Sequence, residues 1–241
     1  MGRERADDRN RGGRPRAGQE PLSRGRILDA ALELVDEEGM DALTMRRLGA
    51  ELGVNPMSIY HHLPGKDAVI SGLVELVFSG MRVCYPDGSP WQAQVRAWAE
   101  SYRSLVCSHP NLVLEIVSNA AAVTEAVLLV NEPLYAALDE AGLLPAEVVV
   151  IADSIVDFIH GFAIAEGAQP PGHPFDRREL LERLETGGAD VLPTMSRIFR
   201  ALTADEAHYD FDRGFDAGLD ILLKGIEARA VGARHLGEDP L

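Results

Sequence analysis

Cysteine is almost missing from this 241-residue chain, which holds only Cys84 and Cys107, twenty-three positions apart. Two thiols at that spacing exclude a disulfide framework and a cysteine metal site, and they fit a reducing compartment. Both are expected to be buried, structural groups. Positive charge is also scarce: 23 Lys+Arg face 38 Asp+Glu, for a net charge of −15. Long apolar runs are lacking too. The stretches near 120–130 and 148–152 fall short of the ~20 residues that cross a bilayer, so no membrane partner is expected. The first twenty residues have no apolar core, which excludes a secretory signal there and points to a cytoplasmic protein. Enzyme signatures are absent as well: no Gly-rich phosphate loop, no G-x-S-x-G and no H-E-x-x-H. Cys107 and His109 cannot serve as nucleophile and base, because two residues apart on a helix end they face away from each other. No catalytic residue, cofactor or metal is assigned.

What is present first corrects the impression left by net charge. Residues 1–66 carry eleven Lys+Arg against eleven Asp+Glu, whereas residues 67–241 carry twelve against twenty-seven, so the whole −15 lies in the second part. The first 26 residues hold eight Arg to four acids. A neutral-to-basic front on an acidic body suits a nucleic-acid reader with a separate sensing or dimerising body.

Hydrophobic periodicity is helical throughout, with no useful period-2 run, so the fold class is all-α. Residues 1–21, rich in Arg, Gly, Asp and Pro, read as a disordered tail. Helices are predicted over 22–38, 45–52, 55–63, 66–84, 91–108, 110–117, 121–141, 145–167, 177–200 and 205–230, with Pro133 kinking or restarting the seventh.

The second and third helices are short and meet across a tight turn. Thr44 stands where an N-cap belongs, Gly53 ends the first of the pair, and Asn55-Pro56 opens the next. A small residue is needed where the helices cross, a glycine at the turn, and an apolar plug on the second helix. Gly49, Gly53 and Ile59 fill those places, with Leu48, Leu52, Val54 and Leu63 completing a miniature core. This is a helix-turn-helix, in which the second helix enters the major groove of double-stranded DNA. Met57, Ser58, Tyr60, His61 and His62 would face outward there, Ser suiting base edges, Met a thymine methyl and Tyr phosphate oxygens. Lys66 opens the next helix and is placed for phosphate. His61 and His62 do not form a metal pair, since neighbours on a helix diverge.

Residues 28–77, with the run "LDAALELVDEEGMDALTMRRLGAELGVNPMSIYHHLPGKDAVI", resemble the DNA-binding domain of the TetR family. The "LT-x-R-x-L-x-x-x-LGV" pattern, the "Y-x-H" and the following lysine carry the likeness. Looser resemblance to the C-terminal domain of the tetracycline-repressor branch lies in "SPWQAQVRAW", "LYAALDEAGL" and "FDAGLDILLKGIEA", so the likeness covers about 22–230. It implies operator contacts from Thr44, Arg46, Met57, Ser58, Tyr60, His62 and Lys66. It also implies a ligand-responsive regulator, most simply a repressor released from a palindromic operator by a small hydrophobic effector. A ligand-independent regulator and an activator of the same family remain open alternatives. Pro56 departs from the polar residue frequent there, so the base sequence read is not inherited.

The expected organisation is a tail (1–21), a DNA-binding domain (22–68) and a ligand-binding and dimerisation domain (69–235). In the last helix Phe211, Phe215, Leu219, Leu222 and Ile226 form one apolar stripe, and Gly214, Gly218, Ile221 and Gly225 form a second, small-residue stripe. With the apolar helix at 145–167, this predicts a four-helix homodimer interface. Polar residues amid apolar neighbours are the ligand candidates: His109, Asn119, Asp153, Asp157, His160 and Gln169. The "SHP" containing His109 resembles the position of a ligand-binding histidine in the tetracycline repressor. A second such histidine is replaced by Asp157, so tetracycline is not the expected ligand. Gly13-Arg14-Pro15-Arg16 has the character of a minor-groove arm.

Overall fold

The computed structural model describes residues 21–118, 125–167, 176–185, 192–202 and 209–237. The reading of the tail, with its Gly-Arg-Pro-Arg segment, and the ligand candidates Asn119 and Gln169 therefore lie outside the described residues. Every element among the described residues is a helix: α1 (Arg24–Glu38), α2 (Met45–Leu52), α3 (Pro56–Tyr60), α4 (Lys66–Ser79), α5 (Trp91–Ser108), α6 (Pro110–Ser118), α7 (Glu125–Glu140), α8 (Pro145–Gly167), α9 (Arg177–Glu185), α10 (Pro193–Ala201) and α11 (Phe211–Gly237). The all-α expectation holds.

Several ends differ from expectation, each for a local reason. The fourth helix stops at Ser79 rather than near residue 84. Arg82 turns back and gives its guanidinium to the carbonyls of Ser79 and Met81, at 2.7 and 3.0 Å, satisfying acceptors the helix leaves open. The single helix predicted over 177–200 is two, α9 and α10, with Pro193 in the first turn of α10, where its missing N–H costs nothing. The last helix starts at Phe211 because Asp210 caps it, accepting from the Arg213 N–H at 3.0 Å. Pro133 neither ends nor restarts α7, which runs through it.

One continuous core joins the front of the chain to the body. Ile27, Ala31 and Val35 of α1 meet Leu48, Ile59, Val69 and Leu73, all fully buried. α4 then carries that core onward through Val74 and Phe78 to α5 and α7. Trp98 is fully buried at the centre of the body, its indole N–H donating to the Val130 carbonyl at 2.7 Å.

Two expectations about the body are corrected. Cys84 and Cys107 are exposed, not buried. And α8 is long and apolar enough to cross a membrane by length and composition, with a mean hydropathy of 1.9 over its most apolar window. Asp153, Asp157 and His160 break the apolar run of this helix in the sequence. Ile151, Ala152, Ile155, Ile159 and Ala163 pack that helix into the bundle, while Val149, Val150 and Ile164 stay exposed.

Candidate nucleic-acid interface and effector cavity

The reading head is built on caps and one close approach. Thr44 Oγ1 accepts from the Arg47 N–H at 3.1 Å and Asn55 Oδ1 from the Met57 N–H at 2.9 Å, so both short helices begin with orphan donors satisfied. Gly53 ends α2 at φ 67°, in the left-handed region where a side chain is strained. A Cβ added to Gly49 would stand 3.1 Å from both Pro56 Cγ and the Val54 carbonyl oxygen. Gly49 therefore sets how close α3 comes to α2. Five residues of helix bury little, so Ile59, fully buried, and Leu63 anchor α3 to the head.

The other side of α3 faces solvent. Met57 is 62% exposed and Tyr60 43%, His61 and His62 are exposed, and Ser58 is half-buried. Leaving a methionine that open costs ~1.5–3 kcal/mol relative to burying it, which suits a surface that meets another molecule. Thr44 and Arg46 are exposed at the start of α2. Arg47, beside them, is bound to Glu38 and Glu51 at 2.7 and 2.6 Å, and these carboxylates raise its pKa further. Lys66 is exposed too, but its ammonium donates to the Met40 carbonyl at 3.1 Å. The structure thus gives this lysine a structural task, tying α4 to the loop before α2.

His109 lies at the junction of head and body. As the last cap of α5 it places Nδ1 2.9 Å from Asp36 Oδ2, at the C-terminal end of α1. Asn111 adds bonds from its side-chain amide to the carbonyls of Val35, at 2.9 Å, and Asp36, at 3.4 Å. These three residues clasp α1 to the α5–α6 corner. Sequence reasoning found His109 but not its partners, because Asp36 and Asn111 sit on helix surfaces with no motif around them. His109 also lines an open cleft of about 520 Å³ between the end of α4 and α5.

The remaining ligand candidates do not gather there. His160 is half-buried in the body, with Nε2 2.8 Å from the Tyr102 hydroxyl. Tyr102 in turn stacks on Trp98, ring centroids 4.8 Å apart, and burial raises its pKa well above the ordinary phenol value. Asp153 and Asp157 are exposed on α8. A separate cluster joins α5, α8 and α11: Arg103 binds Glu166 at 2.9 Å and Asp212 at 2.8 Å, with its guanidinium 4.7 Å from the centre of the Phe215 ring. Cys107 Sγ lies 3.4 Å from Glu166 Oε2 in the same cluster.

Comparison with known proteins covers both halves of this arrangement. Residues 27–73 match the family described as "Bacterial regulatory proteins, tetR family", and residues 85–230 match "Tetracyclin repressor-like, C-terminal domain". An HTH-type transcriptional regulator of Saccharopolyspora erythraea is 29% identical over 211 residues, spanning 87% of this chain and 86% of the relative. The HTH-type transcriptional repressor DrrR1 of Streptomyces coeruleorubidus is 29% identical over 233 residues, spanning 90% and 82%. Among solved structures, ActR of Streptomyces coelicolor in complex with actinorhodin is 26% identical, with a TM-score of 0.73 over 88% of this chain and 99% of that one.

Proposed function

The chain belongs to the TetR family of transcriptional regulators, and we propose that it is a homodimeric repressor released from a palindromic operator by a small molecule with an apolar frame. The observation that carries the reading is the reading head itself: α3 is pinned by Ile59 and by the Gly49 approach, while Met57, Tyr60, His61 and His62 are left open. Under this reading Met57 and Ser58 meet base edges, and Thr44, Arg46, Tyr60, His61, His62 and Lys66 meet the backbone and flanking edges. Lys66 would trade the Met40 carbonyl for a phosphate. The chain acts by binding rather than by catalysis, in the cytoplasm where its operator lies. Residues 22–68 form the DNA-binding domain and 69–235 the sensing and dimerising domain, with α4 shared between them. Relatives named as a repressor and as a complex with a small molecule support the regulatory role.

Dimerisation follows from exposed apolar side chains on the two longest helices. Val149, Val150 and Ile164 of α8 and Ile221 of α11, the last 72% exposed, are surface a second copy would bury. A two-fold pair would hold its reading helices about 34–36 Å apart, one turn of DNA.

The test is selection of duplexes from a random-sequence pool by the full-length protein. Recovery of a palindrome bound at nanomolar concentration in physiological salt, and lost when one half-site is scrambled, is the expected result. Recovery of no common sequence would sink the reading. Tyr60→Ala should weaken binding to the selected palindrome about tenfold or more, as removal of one good contact does.

A further inference from the structure

Two arginines on one face of α5 reach across to α11. Arg96 pairs with Asp220 and stands 3.7 Å from Asp216, and Arg103, two helical turns on, binds Asp212 at 2.8 Å. One turn before Arg96, the Gln92 amide meets Glu227 at 3.4 Å. Partners advance along α11 as positions retreat along α5, so the two helices run antiparallel in a register set by charge. Between them lies an open cleft of about 430 Å³, lined by Ser104 and Cys107 on one side and Phe215 and Asp216 on the other. Long side chains span that gap. Arg103 is the stronger tie: its side chain is only 15% exposed, and one terminal nitrogen meets both oxygens of Glu166 on α8, at 2.9 and 3.1 Å. Its guanidinium also lies 4.7 Å from the centre of the Phe215 ring. A charged pair held away from water and stacked on an aromatic face resists the screening that weakens exposed pairs.

α8 and α11 carry the exposed apolar residues assigned above to the two-fold contact, so these ties pin α5 to the dimerising pair of helices. A single tie would let α5 pivot, whereas two, ~10 Å apart along the helix, fix its direction. Beyond Arg103, by ~9 Å, the same helix is capped by His109, whose ring is held by Asp36 of the reading head. α5 is therefore a strut between the two-fold axis and the head. We propose that Arg103 and Arg96 are positioning residues for operator recognition, which set the separation of the two reading helices by holding this strut. The proposal rests on the homodimeric repressor reading above.

Spacing preference tests this with the full-length protein. The selected palindrome is compared with versions whose centre is one base pair longer or shorter, which moves the half-sites by ~3.4 Å and turns one against the other. In anisotropy titrations the parent should prefer its own spacing about tenfold or more. Arg96→Gln/Arg103→Gln should bind a single half-site as the parent does, yet hold the palindrome several-fold more weakly and lose most of the spacing preference. Asp212→Asn/Asp220→Asn cuts the same ties from exposed side chains of α11, so it should narrow the preference even if the arginine variant fails to fold. Sedimentation and circular dichroism identify the variants that are folded dimers. A folded, dimeric variant of either kind that keeps the parent's preference, or that loses half-site and palindrome alike, overturns the proposal and leaves the repressor reading standing. A parent that holds all three spacings equally overturns the proposal as well. A parent that selects no palindrome overturns the repressor reading, and the proposal with it.

Discussion

The His160 imidazole is held below its ordinary 6.5 by burial, against a smaller upward pull from Asp157. The folded chain therefore takes up this proton less readily than the unfolded chain. Stability is intact above pH 6.5 and is lost as pH falls from 6.5 through the lower folded-state value. His160→Gln keeps a partner for the Tyr102 hydroxyl and removes the titration, so its urea midpoint should fall less than that of the parent as pH drops. Parallel curves for the two proteins would show that His160 is not the group responsible. Cys107 moves the other way: although the residue is exposed, desolvation of its sulfur against the Arg103–Glu166 cluster, then the Glu166 carboxylate, push its thiol up to about 11. Iodoacetamide should therefore alkylate Cys107 on the order of a hundredfold more slowly at neutral pH than an unperturbed thiol of pKa about 8.5. Mass spectrometry of the Cys107 peptide reads this rate, and ordinary reactivity would mean that the sulfur is open to water rather than desolvated beside Glu166.

At the scale of elements, the clasp between α1 and the α5–α6 corner gives the head a direct mechanical link to the cavity wall. Asp36 touches His109 and is not part of that wall. Asp36→Ala frees the His109 ring and so should change effector affinity only modestly, while cutting the factor by which effector weakens operator binding several-fold, roughly 0.5–2 kcal/mol of coupling. Calorimetry and anisotropy titrations on the same variant measure the two quantities, and an unchanged factor would place the coupling in α4 instead. His109→Ala is the less clean experiment, because it alters cavity wall and clasp together. The paired glycines of α11 belong at this scale too. The sequence assigns Gly214 and Gly218 to a partner helix, but a Cβ on Gly218 would come within 2.7 Å of the Phe158 ring, and one on Gly214 within 2.8 Å of the Tyr209 hydroxyl and 3.2 Å of Phe162. These two serve packing within the chain. The inward stripe of α11 includes Leu223, with Leu222 half-buried beside it.

For the whole molecule, the division of charge and the exposed apolar faces say how it would assemble. An acidic body keeps clear of DNA while a neutral head approaches it. The residues we assign to a two-fold contact are Val149, Val150, Ile164 and Ile221 rather than the glycine stripe. Ile221→Lys puts a charge into that contact without disturbing the monomer core, since the side chain is 72% exposed. Sedimentation should show the parent as a dimer and the variant shifted toward monomer, with its hold on the full palindrome weakened more than its hold on one half-site. A variant that stays dimeric would move the interface elsewhere.

The sequence by itself determined the helical class, the head and the family, because each rests on short-range chemistry. Thr44, Gly53 and Asn55-Pro56 act within a few residues of where they stand, and a cap or a left-handed turn needs no distant partner. Only the tertiary structure decided which face of α11 looks inward and that His109 is held by Asp36. Two stripes of similar apolarity cannot be told apart until α8 is in place. A histidine seventy-three positions from its carboxylate carries no local mark of that pairing. The ends of α4 and α9 are not legible in the sequence for a related reason: periodicity reports which face is apolar, whereas helix ends depend on individual groups such as Arg82 and Pro193.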